Sequence, residues 1–138
     1  GKVNGSQPRD GVRYDYFSTT EGILQKSGTF EFDYAISSKL DSLYRNHVFG
    51  NYAKNGALTV CFTGSNHTTG GNSGSPALNA KGELIGINFD RSWESTMSDY
   101  MFDPARCRNI VVDIRYVMWV MDIYSGAKHL VDEMSIVR

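Results

Sequence analysis

The stretch with the densest chemical content is Thr69-Gly70-Gly71-Asn72-Ser73-Gly74-Ser75-Pro76. A serine that attacks a carbonyl must sit on a tight loop with its Oγ exposed. Glycines beside it let backbone N–H groups converge where the oxyanion of acyl transfer develops. Gly71 and Ser73 stand two residues apart, a spacing that lets both amides serve one oxyanion hole. By composition alone the same cluster also reads as a flexible loop. What raises it above that is its sequel: Pro76 opens a strand, a hairpin follows, and a second strand ends at Phe89, just before Asp90 and Arg91.

Such a loop needs a rigid frame, and the chain has the material for one. It has 138 residues, 41% of them hydrophobic and 12% aromatic, enough for a packed core in a single domain. The formal net charge of −1 gives no electrostatic footprint for nucleic acid or an anionic membrane. No apolar run reaches the roughly 18 residues of a membrane span; Tyr116-Val-Met-Trp-Val-Met121 is cut short by Asp122. Cys61 and Cys107 can pair or pack as small hydrophobes, but neither has a second ligand at metal spacing. No metal or cofactor is called for.

The pattern divides the chain into lead-in strands and a short helix over 1–54, a β-barrel portion with the serine loop over 55–112, and terminal helices over 113–138. Residues 1–13 read as irregular; Tyr14–Phe17 and Thr29–Tyr34 read as aromatic strands. Ser38–Arg45 reads as a helix capped by Ser37 or Ser38. Ala57–Phe62, Ser75–Leu78, Glu83–Phe89 and Asn109–Val112 read as strands, with hairpin chemistry at Asn79-Ala-Lys-Gly82. Asp90 to Cys107 is a long excursion. A helix is expected from about Asp113 to Tyr124 and another from Ala127 to Met134. Tyr116, Val117, Val120, Met121 and Tyr124 form its core stripe, which leaves Met118 and Trp119 to face a partner or another part of a longer chain. The fold class is therefore mainly antiparallel β with helical ends, in the order by which the second barrel of a chymotrypsin-like protease finishes.

The run Thr68-Thr-Gly-Gly-Asn-Ser-Gly-Ser-Pro76, followed by Leu84-Ile-Gly-Ile-Asn-Phe-Asp-Arg-Ser-Trp-Glu94, resembles the bacterial S46 serine peptidases. Met97-Ser-Asp-Tyr, Phe102-Asp-Pro, Arg108-Asn-Ile, Asp113-Ile-Arg-Tyr116 and Leu130-Val-Asp-Glu-Met134 match the same family, as does the opening Arg9-Asp-Gly-Val with Tyr14-Asp-Tyr-Phe17. The resemblance implies a double β-barrel with a large helical insertion, a homodimer of the periplasm or cell surface, and removal of dipeptides from free peptide N-termini. It implies Ser73 as nucleophile, with Gly71 in the oxyanion hole, and Asp90 as a ligand of the substrate's α-ammonium. Arg91 falls at the S1 pocket, where arginine goes with Asp or Glu at P1 and glycine with hydrophobic P1 residues.

Physical chemistry agrees with that assignment. A guanidinium matches a carboxylate bidentately, and a neutral P1 would leave it unpaired. Asn88 and Phe89, on the strand Ile87-Asn-Phe89, are expected to hold substrate backbone by edge pairing. Without the resemblance, Asp90 and Arg91 read as a surface ion pair at a strand end. The triad's base and orienting acid are missing. His67 lies six residues before Ser73, near the floor of S1 rather than opposite Oγ, and His47 and His129 read as structural or surface residues. Both groups are expected in the remainder of a longer parent chain, so the isolated chain is expected to be inactive. Two rival readings remain: a glutamyl-type endopeptidase in which Asp90 is structural, and a peptide-binding β module without catalysis.

Overall fold

A computed structural model describes residues 1–29 and 32–137. In chain order its elements are β1 (Ser6–Arg9), β2 (Val12–Tyr14), β3 (Phe17–Thr19), α1 (Thr20–Ser27), α2 (Ser38–Arg45), β4 (Thr59–Gly64), β5 (Pro76–Leu78), β6 (Leu84–Arg91), β7 (Asn109–Asp113), α3 (Ile114–Trp119) and α4 (Lys128–Asp132). Short 3₁₀ turns cover Phe32–Tyr34, Gly50–Tyr52 and Trp93–Asp99. The chain folds as two compact units: residues 1–17 with 61–114, and residues 18–60 with 115–138.

The first unit holds the serine loop. Its antiparallel strands belong to a sheet ordered β3-β4-β7-β6-β5, and β1 and β2 pair separately. The sheet has two edge strands of three residues each and stays open; it is not a closed barrel. The β5–β6 hairpin turns as its residues require. Gly82 adopts a φ of +81°, and Asn79 Oδ1 accepts the N–H groups of Lys81 and Glu83 at 2.9 and 3.0 Å. In β6, a Cβ at Gly86 would lie 2.4 Å from the Val112 carbonyl oxygen and 2.5 Å from a Val111 methyl, so only glycine lets β6 and β7 close over Phe62. Asn88 pairs with Val111 and Asp90 with Ile110, which makes Phe89 an extra residue, a β-bulge. The bulge resets the alternation of faces: Asn88 is buried while Phe89 and Asp90 are exposed.

The opening segment is more ordered than its sequence suggests. Val3 bridges to Gly64, Asn4 N–H donates to the Thr63 carbonyl at 3.1 Å, and the buried Arg108 guanidinium donates to the Gly5 carbonyl at 2.8 Å. Arg108 also donates to the carbonyls of Pro104 and Cys107, so a buried cation is satisfied by carbonyl dipoles and ties the start of the chain to the excursion loop.

The second unit is helical around a hydrophobic core of Tyr44, Phe49, Leu58 and Trp119. Trp119 is fully buried, contrary to the expectation that it faces a partner, and Met118 is buried too. Trp119 stacks on Tyr116 and Tyr124 at centroid separations of 5.7 and 6.4 Å, and its indole N–H donates to the Val48 carbonyl at 2.9 Å. After Trp119 the expected α-helix widens into a π-turn over Val120–Tyr124. The wider turn swings Tyr124, five residues on, back over the Trp119 ring, where a regular helix would carry it round the far side. The Tyr44 hydroxyl, 2.6 Å from that of Tyr116, has its pKa raised by burial and then by this contact. Helix α2 matches the sequence, with Ser37 Oγ accepting the Leu40 N–H at 3.2 Å. The strand expected at Thr29–Tyr34 is not there: Phe32–Tyr34 forms a 3₁₀ turn with Phe32 exposed, and Phe30 and Glu31 lie outside the described residues.

Candidate active site

The serine loop is stitched to β6 beyond the end of β5. The Gly74 N–H donates to the Asn88 carbonyl, and the Asn88 N–H to the Ser75 carbonyl, both at 2.8 Å. The β5–β6 ladder thus continues to within one residue of Ser73. Gly71 and Gly74 take positive φ values of +97° and +87°, which a side chain would oppose, and the chain doubles back on either side of Ser73. Asn72, Gly74 and Ser75 spend their N–H groups on the loop's own scaffold. Among the described residues the N–H groups of Gly71 and Ser73 donate to no protein acceptor. These are the two amides that the sequence spacing singles out.

Behind the loop runs a relay of buried amides. Asn88 Nδ2 donates to the Asn72 carbonyl at 3.1 Å, and Asn109 Nδ2 donates to Asn88 Oδ1 at 2.8 Å. Asn109 Oδ1 accepts the Asn66 N–H at 3.3 Å. The relay spans both arms of the loop, from Asn66 to Asn72, and fixes them to adjacent central strands.

Ser73, Asn88, Phe89, Asp90 and Arg91 line one open cleft of about 200 Å³ with Thr68, Thr69 and Gly70. Every candidate that sequence reasoning placed around the serine, apart from Gly71 and His67, thus borders the same space. Ser73 Oγ is exposed and donates to the Phe89 carbonyl at 3.2 Å. No described histidine bonds it. His67 Nε2 instead meets the Ser98 carbonyl at 3.1 Å, and its ring packs on Phe102 at 4.7 Å. Asn88 borders the cleft with its backbone N–H, its carbonyl and its Nδ2 already bonded to the serine loop.

Asp90 and Arg91 do not form the side-chain pair that adjacency suggests. Asp90 Oδ1 accepts the Arg91 backbone N–H at 2.8 Å, and its charge acts on the Arg91 guanidinium without a direct side-chain hydrogen bond between them. The Arg91 guanidinium pairs with Asp99: Nη1 donates to Oδ1 at 2.9 Å and Nη2 to Oδ2 at 2.6 Å, while Nη1 also donates to Ser98 Oγ at 2.9 Å. The guanidinium, helped by the Thr69 hydroxyl, holds the Asp99 carboxyl down to about 2. Asp99 and Ser98 escaped sequence reasoning because they lie eight and seven residues away across a 3₁₀ turn, a spacing with no periodic signature.

Cys61 and Cys107 form no disulfide. Among the described residues there is no cluster fit to hold a metal ion, and no helix long and apolar enough to cross a membrane.

The family profile described as Peptidase S46 matches residues 1–136. An Asp/Glu-specific dipeptidyl-peptidase of Flavobacterium psychrophilum is 52% identical, over 100% of this chain and 19% of its own length. A dipeptidyl-peptidase 7 of Phocaeicola vulgatus is 46% identical, over 100% of this chain and 19% of its own. The crystal structure of Porphyromonas endodontalis DPP11 in complex with the dipeptide Arg-Glu superposes with a TM-score of 0.92 at 44% identity, covering 96% of this chain and 19% of that one. The chain thus spans about a fifth of the length of the relatives it matches.

Proposed function

This chain belongs to the peptidase S46 family, and on that premise we propose that it carries the nucleophile and the P1 pocket of a serine dipeptidyl peptidase that releases dipeptides ending in Asp or Glu from free peptide N-termini. Ser73 Oγ attacks the carbonyl carbon of the P1 residue, and its proton passes to a histidine base held by an acid, both supplied by the rest of the parent enzyme. The Gly71 and Ser73 N–H groups receive the oxyanion. The amine leaves, an acyl-enzyme remains on Ser73, and water releases the dipeptide. Asp90, with Oδ1 bound to its own strand, turns its other oxygen to the substrate's α-ammonium. Within the parent, the open sheet forms part of the second of two chymotrypsin-like barrels in a homodimer of the periplasm or cell surface. This chain alone is inactive for want of the base.

The observation that carries the reading is that Arg91 borders the same cleft as Ser73. Overall identity does not separate the two specificities, since relatives named for each match this chain at 52% and 46%. The P1 residue is decided by what stands in the pocket, and a guanidinium there rewards a carboxylate and penalises an apolar side chain that leaves it unpaired.

The test uses the full-length parent with fluorogenic free Xaa-Asp, N-acetyl-Xaa-Asp and free Xaa-Leu substrates, and Arg91→Gly alongside. Only free Xaa-Asp should turn over well, and Arg91→Gly should move the preference toward Leu. Equal cleavage of the acetylated substrate would remove the ammonium role of Asp90 and make the enzyme an endopeptidase. Failure of Ser73 in the parent to react with a fluorophosphonate would leave only a binding module.

A further inference from the structure

A guanidinium has five N–H donors. In Arg91, Nη1 spends both of its hydrogens, on Ser98 Oγ and Asp99 Oδ1, and Nη2 spends one on Asp99 Oδ2. The Nε–H and the second Nη2–H have no acceptor among the described residues. These two hydrogens lie on one edge of the planar group and form a second fork, the side-on one. Arg91 lines the cleft beside Ser73, whereas Asp99 does not. Asp99 therefore grips the guanidinium by its end.

We propose that Asp99 is a positioning residue for P1 recognition: by occupying the end-on face of Arg91, with Ser98 beside it, it presents the side-on fork to the carboxylate of an acidic P1 side chain. The inference rests on the reading of Arg91 as the S1 residue. An arginine side chain has four torsions, and a free one would spread its donors over many orientations. Held at three of its five hydrogens, Arg91 offers one edge only, in one plane. Recognition then depends on alignment, because the neighbouring carboxylate already offsets much of the guanidinium's charge.

The test is a set of variants in the full-length parent, assayed on Xaa-Asp, Xaa-Glu and Xaa-Leu substrates. Asp99→Asn places an amide N–H against one of the Arg91 donors and breaks the end-on grip. It should lower kcat/KM for both acidic substrates about tenfold or more, chiefly through KM, and leave Xaa-Leu within about twofold. Asp99→Glu keeps the carboxylate and should restore part of the loss. In an Arg91→Gly background, Asp99→Asn has nothing to position and should be silent. Unchanged or higher kcat/KM for acidic substrates in Asp99→Asn would overturn the proposal and make Asp99 a competitor of the P1 carboxylate. An equal loss on all three substrates would overturn it in favour of a general structural role. If Arg91→Gly itself leaves the acidic preference intact, the S1 reading falls and this inference with it; if Arg91→Gly abolishes the preference and Asp99→Asn does not touch it, only this inference falls.

Discussion

Replacing Asn88 by leucine removes the middle of the amide relay and should loosen the serine loop by an amount that the structure sets. Asn88 is buried, and so is Asn109 behind it. Leucine has the same branched skeleton of heavy atoms and a larger volume, so any overpacking adds to the polar losses. The bond from Asn88 to the Asn72 carbonyl disappears, for about 1 kcal/mol. The Asn109 amide loses its acceptor and is stranded away from water, for a further 1–3 kcal/mol or so. The sum is about 2–4 kcal/mol, and every 1.4 kcal/mol is about a factor of ten in a local opening equilibrium. Hydrogen exchange of peptides spanning residues 70–91, measured in the full-length parent, should therefore accelerate at least about 30-fold. Labelling of Ser73 by a fluorophosphonate should slow in parallel, as Gly71 and Ser73 lose their fixed orientation. Asn88→Asp separates the two halves of the relay. It still accepts from Asn109 but sets a carboxylate oxygen against the Asn72 carbonyl, so the loop should loosen even with Asn109 satisfied. Exchange within about threefold of the unaltered enzyme in Asn88→Leu would refute the claim that buried amides hold the loop.

Two further outcomes follow from single contacts. Gly86→Ala should destabilise the β6–β7 pairing by about 1–3 kcal/mol, because its methyl would meet backbone and a packed valine rather than a movable side-chain tip; local exchange across Leu84–Arg91 is the measurement. The Asp99 carboxyl is held near 2 by Arg91 first and by Thr69 and His67 after it, so its pairing is complete above the ordinary carboxylate range and is lost only as pH falls through about 2. The pH profiles of KM for acidic substrates in the parent and in Asp99→Asn should accordingly have the same shape between pH 5 and 9, offset by a constant factor; an inflection in that range that vanishes in the variant would contradict the pairing.

What could be read from the sequence was whatever local chemistry dictates. The Asn79–Gly82 turn and the Ser37 cap each satisfy their own backbone within four residues, and the serine loop turns on glycines at positive φ, so residue type alone announces all three. The opening segment was unreadable because its order comes from Gly64 and Arg108, far along the chain. Helix α1 carries Thr20 and Gly22, both of poor propensity, in its first turn, and Thr19 makes no side-chain cap, so local signals mark it weakly. Thr29–Tyr34 misled because aromatic alternation suits a strand only when one face is covered, and Phe32 is 91% exposed. Trp119 misled in the opposite sense: it is buried by Tyr44, Phe49 and Leu58, distant in sequence, and by a π-turn that regular helical periodicity does not contain.

The same division holds within the site. Sequence order placed Ser73, Asp90 and Arg91 near one another because a hairpin joins them, and the structure puts all three on one cleft. It could not say which way Arg91 points. Adjacency favoured Asp90 as the partner, yet successive residues of a strand send their side chains to opposite faces, and the bulge at Phe89 turns this part of β6 again. Under the proposed function the two carboxylates then have different tasks. Asp99 takes the guanidinium end-on, and Asp90 spends Oδ1 on the Arg91 backbone N–H. Had Asp90 paired with Arg91, the cleft would hold a closed ion pair with little to offer either end of a dipeptide. In the proposed reading both charges stay open to a substrate, one donor fork and one acceptor, on the same strand as the carbonyl that receives the Ser73 hydroxyl.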